Sequence, residues 1–273
     1  MTLSVLSAPP RKTLPAFARL YGSSEADFAG SVDQLSAAWQ VQNAAGDILG
    51  VLGLRPSPAH GAEVMGGTFP GEQRQDAALA LLRAALAAQP QLYAYAQAHL
   101  FPAETLAEAG LHVVGAYTRL TGPLPTVLPE VPDGFSIVPL TEVSDLTDRR
   151  AAQQTYSDLI GHTHITPESL QPNVGGSDDR LGRLAYDASG APAGLCRAWL
   201  NDEVASLGAP GVRLGLRGSG LRRALLLSVC RALAEVCVKT LTLDAWGDTE
   251  AQRAEDLALG LVLEELTPIY ASA

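Results

Sequence analysis

Apolar and polar positions follow two different periods along the chain. Stretches with an apolar residue at every second position predict strands, and stretches with apolar residues three or four positions apart predict helices. In the second half the predicted elements are a strand over Phe135–Leu140, a helix near Asp145–Ile160, a hairpin from about 182 to 200, a strand from about 203 to 214, a helix from Gly220 to about Cys237, a strand over Thr240–Trp246, a helix from about Thr249 to Leu259, and a last strand near Leu261–Tyr270. Strands that come first in hairpins and then alternate with helices predict an α/β fold built on a mixed sheet.

The first half of the chain repeats part of this plan. The matching segments are Val41–Val51 with Ala185–Leu195, Ala77–Ala88 with the region of Ala224–Glu235 (Arg83 over Arg231), and Ala109–Leu111 with Leu259–Leu261, at offsets of 144, 148 and 150 residues. The first pair has an Asn/Asp-to-Gly turn between two strand-like runs, which is a hairpin signal. Three matches in the same order, with offsets that grow in small steps, predict two copies of one unit that differ by loop insertions.

A stretch rich in proline and glycine separates the two halves. Leu120–Gly134 (LTGPLPTVLPEVPDG) contains four prolines and two glycines, so it cannot continue a helix or an inner strand. We therefore predict a linker here and two domains, at residues 1–122 and 133–273.

Composition narrows the class of protein. The 273 residues are 47% hydrophobic and 18% charged, which is enough apolar material for two packed domains. The net charge of -10 argues against a general nucleic-acid partner, because phosphate contacts need clustered Lys and Arg. Three cysteines without metal-ligand spacing predict no metal site. No long uncharged apolar run is present, so we expect no signal peptide, no membrane partner and a cytoplasmic location, as a monomer or a homodimer.

The most informative segment is a glycine-rich loop that opens an apolar helix, Val212–Leu226 (VRLGLRGSGLRRALL). Glycines let successive backbone N–H groups point outward, and a helix N-terminus carries a partial positive charge. Four arginines surround the loop in an otherwise acidic protein. These features predict a phosphate or diphosphate site. The alternative is a tight turn in which Ser219 caps the helix and the arginines are solvated.

Other phosphate-binding motifs fit this loop poorly. A Walker loop is excluded because no Gly-Lys-Ser/Thr follows. A dinucleotide-binding fingerprint needs a third glycine where Arg223 stands, and it normally lies in the first βαβ unit.

The loop resembles motif A of the GNAT superfamily of acyl-CoA N-acyltransferases. The resemblance rests on Val-x-x-x-x-Arg-Gly-x-Gly-x-x-x-x-Leu-Leu over Val212–Leu226. Further on, Asp248–Ala251 stands for the family's Asn-x-x-Ala and Gly260-Leu261 for its Gly-Phe. It covers residues 133–273 well, whereas the first half carries degenerate motifs. The resemblance implies an α/β fold of two tandem GNAT-like domains, each a mixed, mostly antiparallel sheet flanked by helices.

The resemblance also implies a function and a set of cofactor-binding residues. We expect an N-acyltransferase that moves an acetyl group from acetyl-CoA to a small-molecule or peptide amine, by direct transfer in the C-terminal domain and without a metal. The alternative is a non-catalytic CoA-binding or purely structural tandem protein. Amides of the loop should hold the CoA diphosphate, an amide near Val212 should polarise the thioester carbonyl, and a bulge at Pro210-Gly211 should spread the strands. The implied cofactor-binding residues are Val212, Arg213, Leu214, Arg217, Gly218, Ser219, Gly220, Leu221, Arg222, Asp248 and Ala251.

The catalytic groups depart from the family pattern. The family's tyrosine on the last helix should fall on Asp256 or Glu255, and neither is a tyrosine. Tyr270 is then a candidate proton donor, with water as the alternative. Glu203 is a candidate base because several family members keep one near that point; the alternative is a solvated glutamate. Candidate acceptor contacts are Tyr156, His162 and Trp246, although loop histidines and strand-end tryptophans often have no such role.

The first copy lacks the features of a phosphate site. Its loop, Phe69–Asp76 (FPGEQRQD), contains one glycine and two acids that would repel a diphosphate. We predict that this domain binds no cofactor and instead supports the second copy or shapes its acceptor cleft.

Overall fold

The structure is a computed structural model that describes residues 3–57, 60–157 and 165–272. The chain divides into two compact units. The first unit is Met1–Gly115 together with Thr267–Ala273, and the second is Ala116–Leu266.

The first unit is a mixed sheet with helices. Its elements are β1 (Ser4–Ser7), α1 (Pro10–Tyr21), α2 (Glu25–Val32), β2 (Ala37–Gln42), β3 (Ile48–Ser57), β4 (Gly61–Thr68), α3 (Arg74–Ala88), β5 (Leu92–Tyr95), α4 (Ala103–Glu108), the start of β6 (His112–Pro123) and the end of β14 (Val262–Ala271). Strands β1 to β4 pair antiparallel in sequence order, and β4 pairs parallel with β5. Helix α3 packs its leucines and alanines against β2 and β3.

The second unit repeats this order of elements. It contains the rest of β6, then β7 (Phe135–Pro139), α5 (Leu146–Ser157), β8 (Arg183–Asp187), β9 (Pro192–Cys196), β10 (Ala198–Asn201), β11 (Val204–Gly208), β12 (Gly211–Val212), α6 (Leu221–Glu235), β13 (Thr240–Trp246), α7 (Glu250–Leu257) and most of β14. Strands β7, β8, β9 and β12 pair antiparallel, and β13 lies between β6 and β11, parallel only to β11. The predicted α/β class, with mixed sheets flanked by helices, is confirmed.

The core of the second unit follows from the alternation along β13. Leu241, Leu243 and Ala245 are fully buried with the apolar side of α6, so the residues that alternate with them along β13 face the other side of the sheet. Those residues include Asp244 and Trp246, which matter below.

The compact units do not divide at the predicted linker. Residues Tyr117–Pro123 of β6 pair with Trp246–Thr240 of β13 inside the second unit, and Ile269–Ala271 of β14 pair with β5 inside the first. Each copy therefore contributes its last strand to the sheet of the other unit. Hydrophobic alternation predicts that a strand forms but does not identify its partner, so the sequence carries no clear signal for this exchange.

Candidate functional site

The chain passes from one sheet of the second unit to the other between β11 and β12. Strand β11 pairs with β13 up to Gly208↔Asp244, and the amide of Ala209 donates to the carbonyl of Asp244 at 2.7 Å. Beyond Pro210, which has no N–H to donate, the chain pairs with β9 as β12 instead. The strand therefore leaves β13 at the Pro210-Gly211 step, where the sequence predicts a bulge.

The departure turns the amide of Val212 away from β9. The amide of Arg213 donates to the carbonyl of Ala193 at 2.9 Å. Because hydrogen-bonding direction alternates along an antiparallel strand, the neighbouring amide of Val212 points to the opposite side. Val212 lines the cleft that opens there.

The glycine-rich loop presents several bare amides to this cleft. Gly218 and Gly220 adopt φ of +82° and +85°, which is the left-handed region that favours glycine. Within the described part of the chain, no acceptor receives a hydrogen bond from the amides of Gly218, Gly220, Arg222 or Arg223. These donors lie where α6 begins, so the partial charge of the helix terminus adds to them.

Ser219 does not cap the helix. The N-cap residue of α6 is Gly220, and no side chain caps it. The hydroxyl of Ser219 receives only a long bond of 3.4 Å from the amide of Leu221. The alternative of an ordinary capped turn is therefore not what the structure contains.

We call the space beside the loop the loop cleft. Two of its guanidinium groups, on Arg217 and Arg223, form no ion pair with any carboxylate of the described residues. Among the described residues, the guanidinium of Arg217 donates only to the carbonyl of Val212, from Nε at 3.3 Å. The residues lining the loop cleft are Pro210, Val212, Leu216, Arg217, Gly218, Gly220, Arg222, Arg223, Asp248, Gln252 and Glu255. Unpaired cations beside bare amides are suited to an anion with several oxygens.

The side chain of Arg222 is bound to carboxylates of this chain instead of being free to contact a ligand. Its guanidinium is buried and donates to both carboxylate oxygens of Asp256, each at 2.8 Å, and to Asp248 at 2.5 Å. Arg222 and Asp248 therefore line the loop cleft with side chains already occupied by each other. Both carboxylate oxygens of Asp256 are therefore occupied by Arg222.

Several other predicted cofactor contacts point elsewhere. Arg213 forms an ion pair with Asp187 at the turn of the β8–β9 hairpin, which directs it away from the loop cleft. Leu214 is 65% exposed, Leu221 is fully buried in the core, and Ala251 is exposed on α7. Gln252 and Glu255 take the place expected for Ala251, because they are the residues of α7 that line the cleft.

Both candidate catalytic residues lie away from the splayed strands. Glu203 precedes β11, is 65% exposed and pairs with Lys239 at 2.7 Å. Five strand residues, about 17 Å, separate it from Gly208, where the clefts open. Tyr270 packs against the core of the first unit and pairs with Ala94. This geometry lends the two predicted catalytic roles no support, and they stay predictions, because counting along the sequence takes no account of which end of a strand a residue occupies.

A second, mostly apolar cavity of about 440 Å³ opens beside β11. We call it the apolar pocket. Gly208 forms part of its wall, whereas Pro210, two residues further along the chain, lines the loop cleft. Its lining residues are Gln153, Tyr156, Ser169, Val174, Gly175, Arg197, Trp199, Ser206, Leu207, Gly208, Asp244 and Trp246. The structure thus brings two predicted acceptor contacts, Tyr156 and Trp246, into one pocket, whereas His162 lies outside the described residues.

The apolar pocket contains charged residues that the sequence reading missed. Asp244 accepts hydrogen bonds on Oδ1 from the hydroxyl of Tyr117 at 2.8 Å and from Nε of Arg119 at 2.9 Å. Burial, together with the bond to Asp244, raises the pKa of Tyr117 above its usual range, so this tyrosine stays a donor. Oδ2 of Asp244 accepts no hydrogen bond within the described ranges. The signal for Asp244 was present, as the one acid in the strand-like run Thr240–Trp246.

Tyr156 is also held in its neutral form. It is almost completely enclosed, and this burial raises the pKa of its phenol far above the usual value. The same burial places the thiol of Cys196 beyond useful nucleophilicity, because its pKa is raised by desolvation. Neither group supplies an anion to the pocket.

The described ranges contain neither a metal-binding cluster nor a helix suited to cross a membrane. In residues 3–57, 60–157 and 165–272, no group of three or more His, Cys, Asp or Glu side chains is arranged to hold a metal ion. Over the same ranges, no helix has both the length and the apolar character that a bilayer crossing needs.

Comparisons with known proteins establish the fold. No protein-family model matches the chain, and no curated protein matches it. Among solved structures, a GCN5-related N-acetyltransferase from Sphaerobacter thermophilus aligns over 98% of this chain and 95% of its own, with 19% identity and a TM-score of 0.57. A tandem GNAT protein from the clavulanic acid biosynthesis pathway aligns over 99% and 98%, with 19% identity and a TM-score of 0.52. A probable N-acyltransferase from Enterococcus faecalis V583 aligns over 99% and 72%, with 13% identity and a TM-score of 0.59.

These likenesses extend over nearly the whole chain. The predicted resemblance to GNAT proteins is therefore confirmed at the level of the fold, and the match to a tandem protein supports two GNAT-like domains.

Proposed function

We propose that this chain is an acyl-CoA-dependent N-acyltransferase that acetylates an amine by direct transfer, with its active site in the second unit. The observation that carries the proposal is the group of four bare amides at the start of α6, flanked by the unpaired guanidinium groups of Arg217 and Arg223. In a protein with this fold, that is the position for the diphosphate of coenzyme A.

The residues present fit such a ligand. Amides of Gly218, Gly220, Arg222 and Arg223 would hold diphosphate oxygens, with Arg217 adding a charge-assisted bond. Arg222 would contribute its amide alone, because its side chain is occupied by Asp256. Bound acetyl-CoA would supply an activated acyl thioester, which the chain cannot supply by itself.

The amide of Val212 is the polar group that we propose for the acyl carbonyl. The amide of Val212 points away from β9 into the space that Pro210 opens, and we propose that it polarises an acyl carbonyl there. Pro210 and Val212 line the loop cleft and Leu207 and Gly208 line the apolar pocket, so an acyl donor and an amine acceptor could meet along this strand.

We propose Asp244 as the residue that orients the amine and receives its proton. N-acylation needs a neutral amine, and Asp244 has an oxygen without a partner among the described residues. Tyr117 and Arg119 hold its other oxygen and so fix the direction of the carboxylate. This assignment replaces Glu203.

Proton return to the leaving thiolate has no tyrosine in the expected place. Glu255 lines the loop cleft on α7, and solvent reaches the same wall. We propose that water supplies this proton, directly or by way of Glu255. Direct transfer also fits the cysteines, because the described Cys196 and Cys230 are buried and Cys237 lies after α6, outside both clefts.

The first unit is proposed to bind no CoA. Its strands β4 and β5 pair at Ala62 and Glu63 and then diverge, but the space between them is filled. A Cβ on Gly67 would lie 2.7 Å from Cα of Leu100, and Leu100 belongs to a turn closed by a bond from the amide of Gln97 to the carbonyl of Phe101. A pantetheine arm has no room there.

A non-catalytic CoA-binding protein is the second candidate. It is favoured by one observation, the pairing of Asp256 with Arg222 where the family's tyrosine is expected.

The two candidates separate in one experiment. Acetyl-CoA is mixed with the full chain and a panel of primary amines, and free thiol release is followed beside calorimetric binding of CoA. We expect both binding and amine-dependent thiol release. Binding without release from any amine would favour the non-catalytic candidate, and absence of binding would reject both.

A further inference from the structure

The apolar pocket contains a buried arginine with unsatisfied donors. Arg197 follows β9, its side chain is only 5% exposed, and it lines the pocket. Its Nη2 atom donates to the carbonyl of Ser169 at 3.2 Å and to Oε1 of Gln153 at 3.4 Å, both neutral and rather long. Its Nε and Nη1 atoms are buried and donate no hydrogen bond in the described part of the molecule. Buried donors without partners are costly, so such an arrangement needs a ligand or another reason.

The charge around Arg197 is also unbalanced. Among the described residues, the carboxylate beside Arg197 is that of Asp179, which bonds to Arg149 at 2.7 Å, and Arg149 itself is fixed by carbonyls of Leu140 and Val143. Arg197 lies 3.7 Å from the other oxygen of Asp179, which is beyond a good hydrogen bond. Two guanidinium groups therefore share one carboxylate, all three nearly fully buried. Burial lowers the pKa of Arg197 from its very high ordinary value, yet an arginine stays protonated in proteins. Counted over the described residues, the cluster of Arg149, Arg197 and Asp179 keeps one positive charge that a bound anion would balance.

Arg197 and Asp244 lie on either side of Gly208 in the sheet. Ala198 pairs with Leu207, so Arg197 stands opposite Gly208, and Gly208 pairs with Asp244. Residues opposite one another in a sheet point to the same face, and two strand spacings are about 10 Å. Between the two charged side chains Gly208 offers only backbone. The row therefore presents a cation and an anion on one wall of one pocket.

We propose that the acceptor is a small amino-carboxylic acid whose carboxylate binds Arg197 while its amine faces Asp244. This inference rests on the proposed function, because it assigns the substrate class of the same site. The guanidinium fork of Arg197 matches the two oxygens of a carboxylate. Tyr156, Trp199 and Trp246 supply the apolar and aromatic walls for the part between the charged groups.

Binding of matched ligands tests this without any need for turnover. The full chain is saturated with CoA and titrated with α-amino acids, β-alanine and γ-aminobutyrate, and with the primary amide of each, while tryptophan fluorescence is followed. Trp199 and Trp246 both line the pocket, so occupancy should change their emission. We expect at least one acid to bind, and its amide to bind about tenfold more weakly or worse. Amides that bind as well as their acids would overturn the proposal, and so would a chain that binds CoA but none of the acids.

Variants assign the effect to Arg197. Arg197→Gln should remove the discrimination between acid and amide, and Arg197→Lys should retain part of it because the charge remains. Arg183→Gln is the matched control, since Arg183 is half-buried on β8, donates to backbone carbonyls and lies outside the pocket. Calorimetric CoA binding by each variant shows that the second unit is folded. Unchanged discrimination in Arg197→Gln, or equal loss in the control, would contradict the assignment. If Arg197→Gln does not fold, Arg197→Lys and the wild-type comparison still decide.

Absence of CoA binding by the wild-type chain is distinguishable from failure of the substrate-class proposal. It would reject the proposed function itself, whereas CoA binding without preference for carboxylates would reject only the substrate class.

Discussion

At the scale of single residues, Arg222 and Asp256 both depart from the family pattern, and each is the ion-pair partner of the other. The family pattern implied by the resemblance has a small residue at the position of Arg222 and a tyrosine on the last helix at the position of Asp256 or Glu255. The structure joins these two departures through a bidentate ion pair, with Asp248 as a further partner. Two unusual residues in separate segments are therefore one structural feature, and this is why neither behaves as the motif predicts.

Arg222→Met should destabilise the second unit strongly. It would leave the carboxylates of Asp248 and Asp256 buried without their cation, a change that typically costs about 3–5 kcal/mol. Chemical denaturation measures the loss. Arg223→Met is the control, because Arg223 forms no ion pair with described residues; it should keep its stability and weaken CoA binding. Equal stability of the two variants would contradict the buried pair.

Asp244→Asn should slow acetyl transfer by about 10²-fold or more, because general-base contributions are commonly of that size. CoA affinity, measured by calorimetry, should stay within a factor of about two, since Asp244 lies outside the loop cleft. Glu203→Gln is the matched control and should transfer at the wild-type rate. A slow Glu203→Gln variant beside a normal Asp244→Asn variant would restore the base that the sequence suggested.

At the scale of elements, the sequence predicts strands and helices better than the contacts between them. Strand β13 has its predicted limits, Thr240–Trp246, because Leu and Thr alternate with period two between clear turn residues. Helix α6 and its glycine-rich approach were likewise predicted. The sequence did not predict that Arg213 turns to Asp187, or that Asp244 and Arg197 share a pocket. Such contacts depend on strand register, which the pattern of faces leaves open.

The loop that precedes α6 should depend on glycine at position 220. Gly220→Ala forces an L side chain into φ +85°, at a cost of about 1–2 kcal/mol, and displaces the amides on either side. We expect CoA affinity, measured by calorimetry, to fall about tenfold or more. Gly215→Ala is the control, because a Cβ at Gly215 meets no atom within 4 Å and its φ is unremarkable. Equal affinities for the two variants would show that the amides do not hold the ligand.

At the scale of the whole molecule, the exchanged last strands mean that the predicted linker does not separate two self-sufficient pieces. A fragment of residues 1–122 would carry the strand that pairs with β13 and lack Thr267–Ala273, the segment that pairs with β5. Both fragments, 1–122 and 133–273, would then expose an unpaired strand edge. We expect each alone to be aggregated or poorly structured by circular dichroism, and the two to purify together when co-expressed. Two soluble, cooperatively unfolding fragments would contradict the exchange.

The central claim is that one set of loop amides, in the second unit, binds coenzyme A. Calorimetric titration of the full chain with CoA tests it most directly. We predict one site per chain, with Arg217→Ala weakening binding by about 1.5–3 kcal/mol and Arg231→Ala, an exposed arginine further along α6, leaving it unchanged. No binding, two sites per chain, or an Arg217→Ala variant with wild-type affinity would contradict the account.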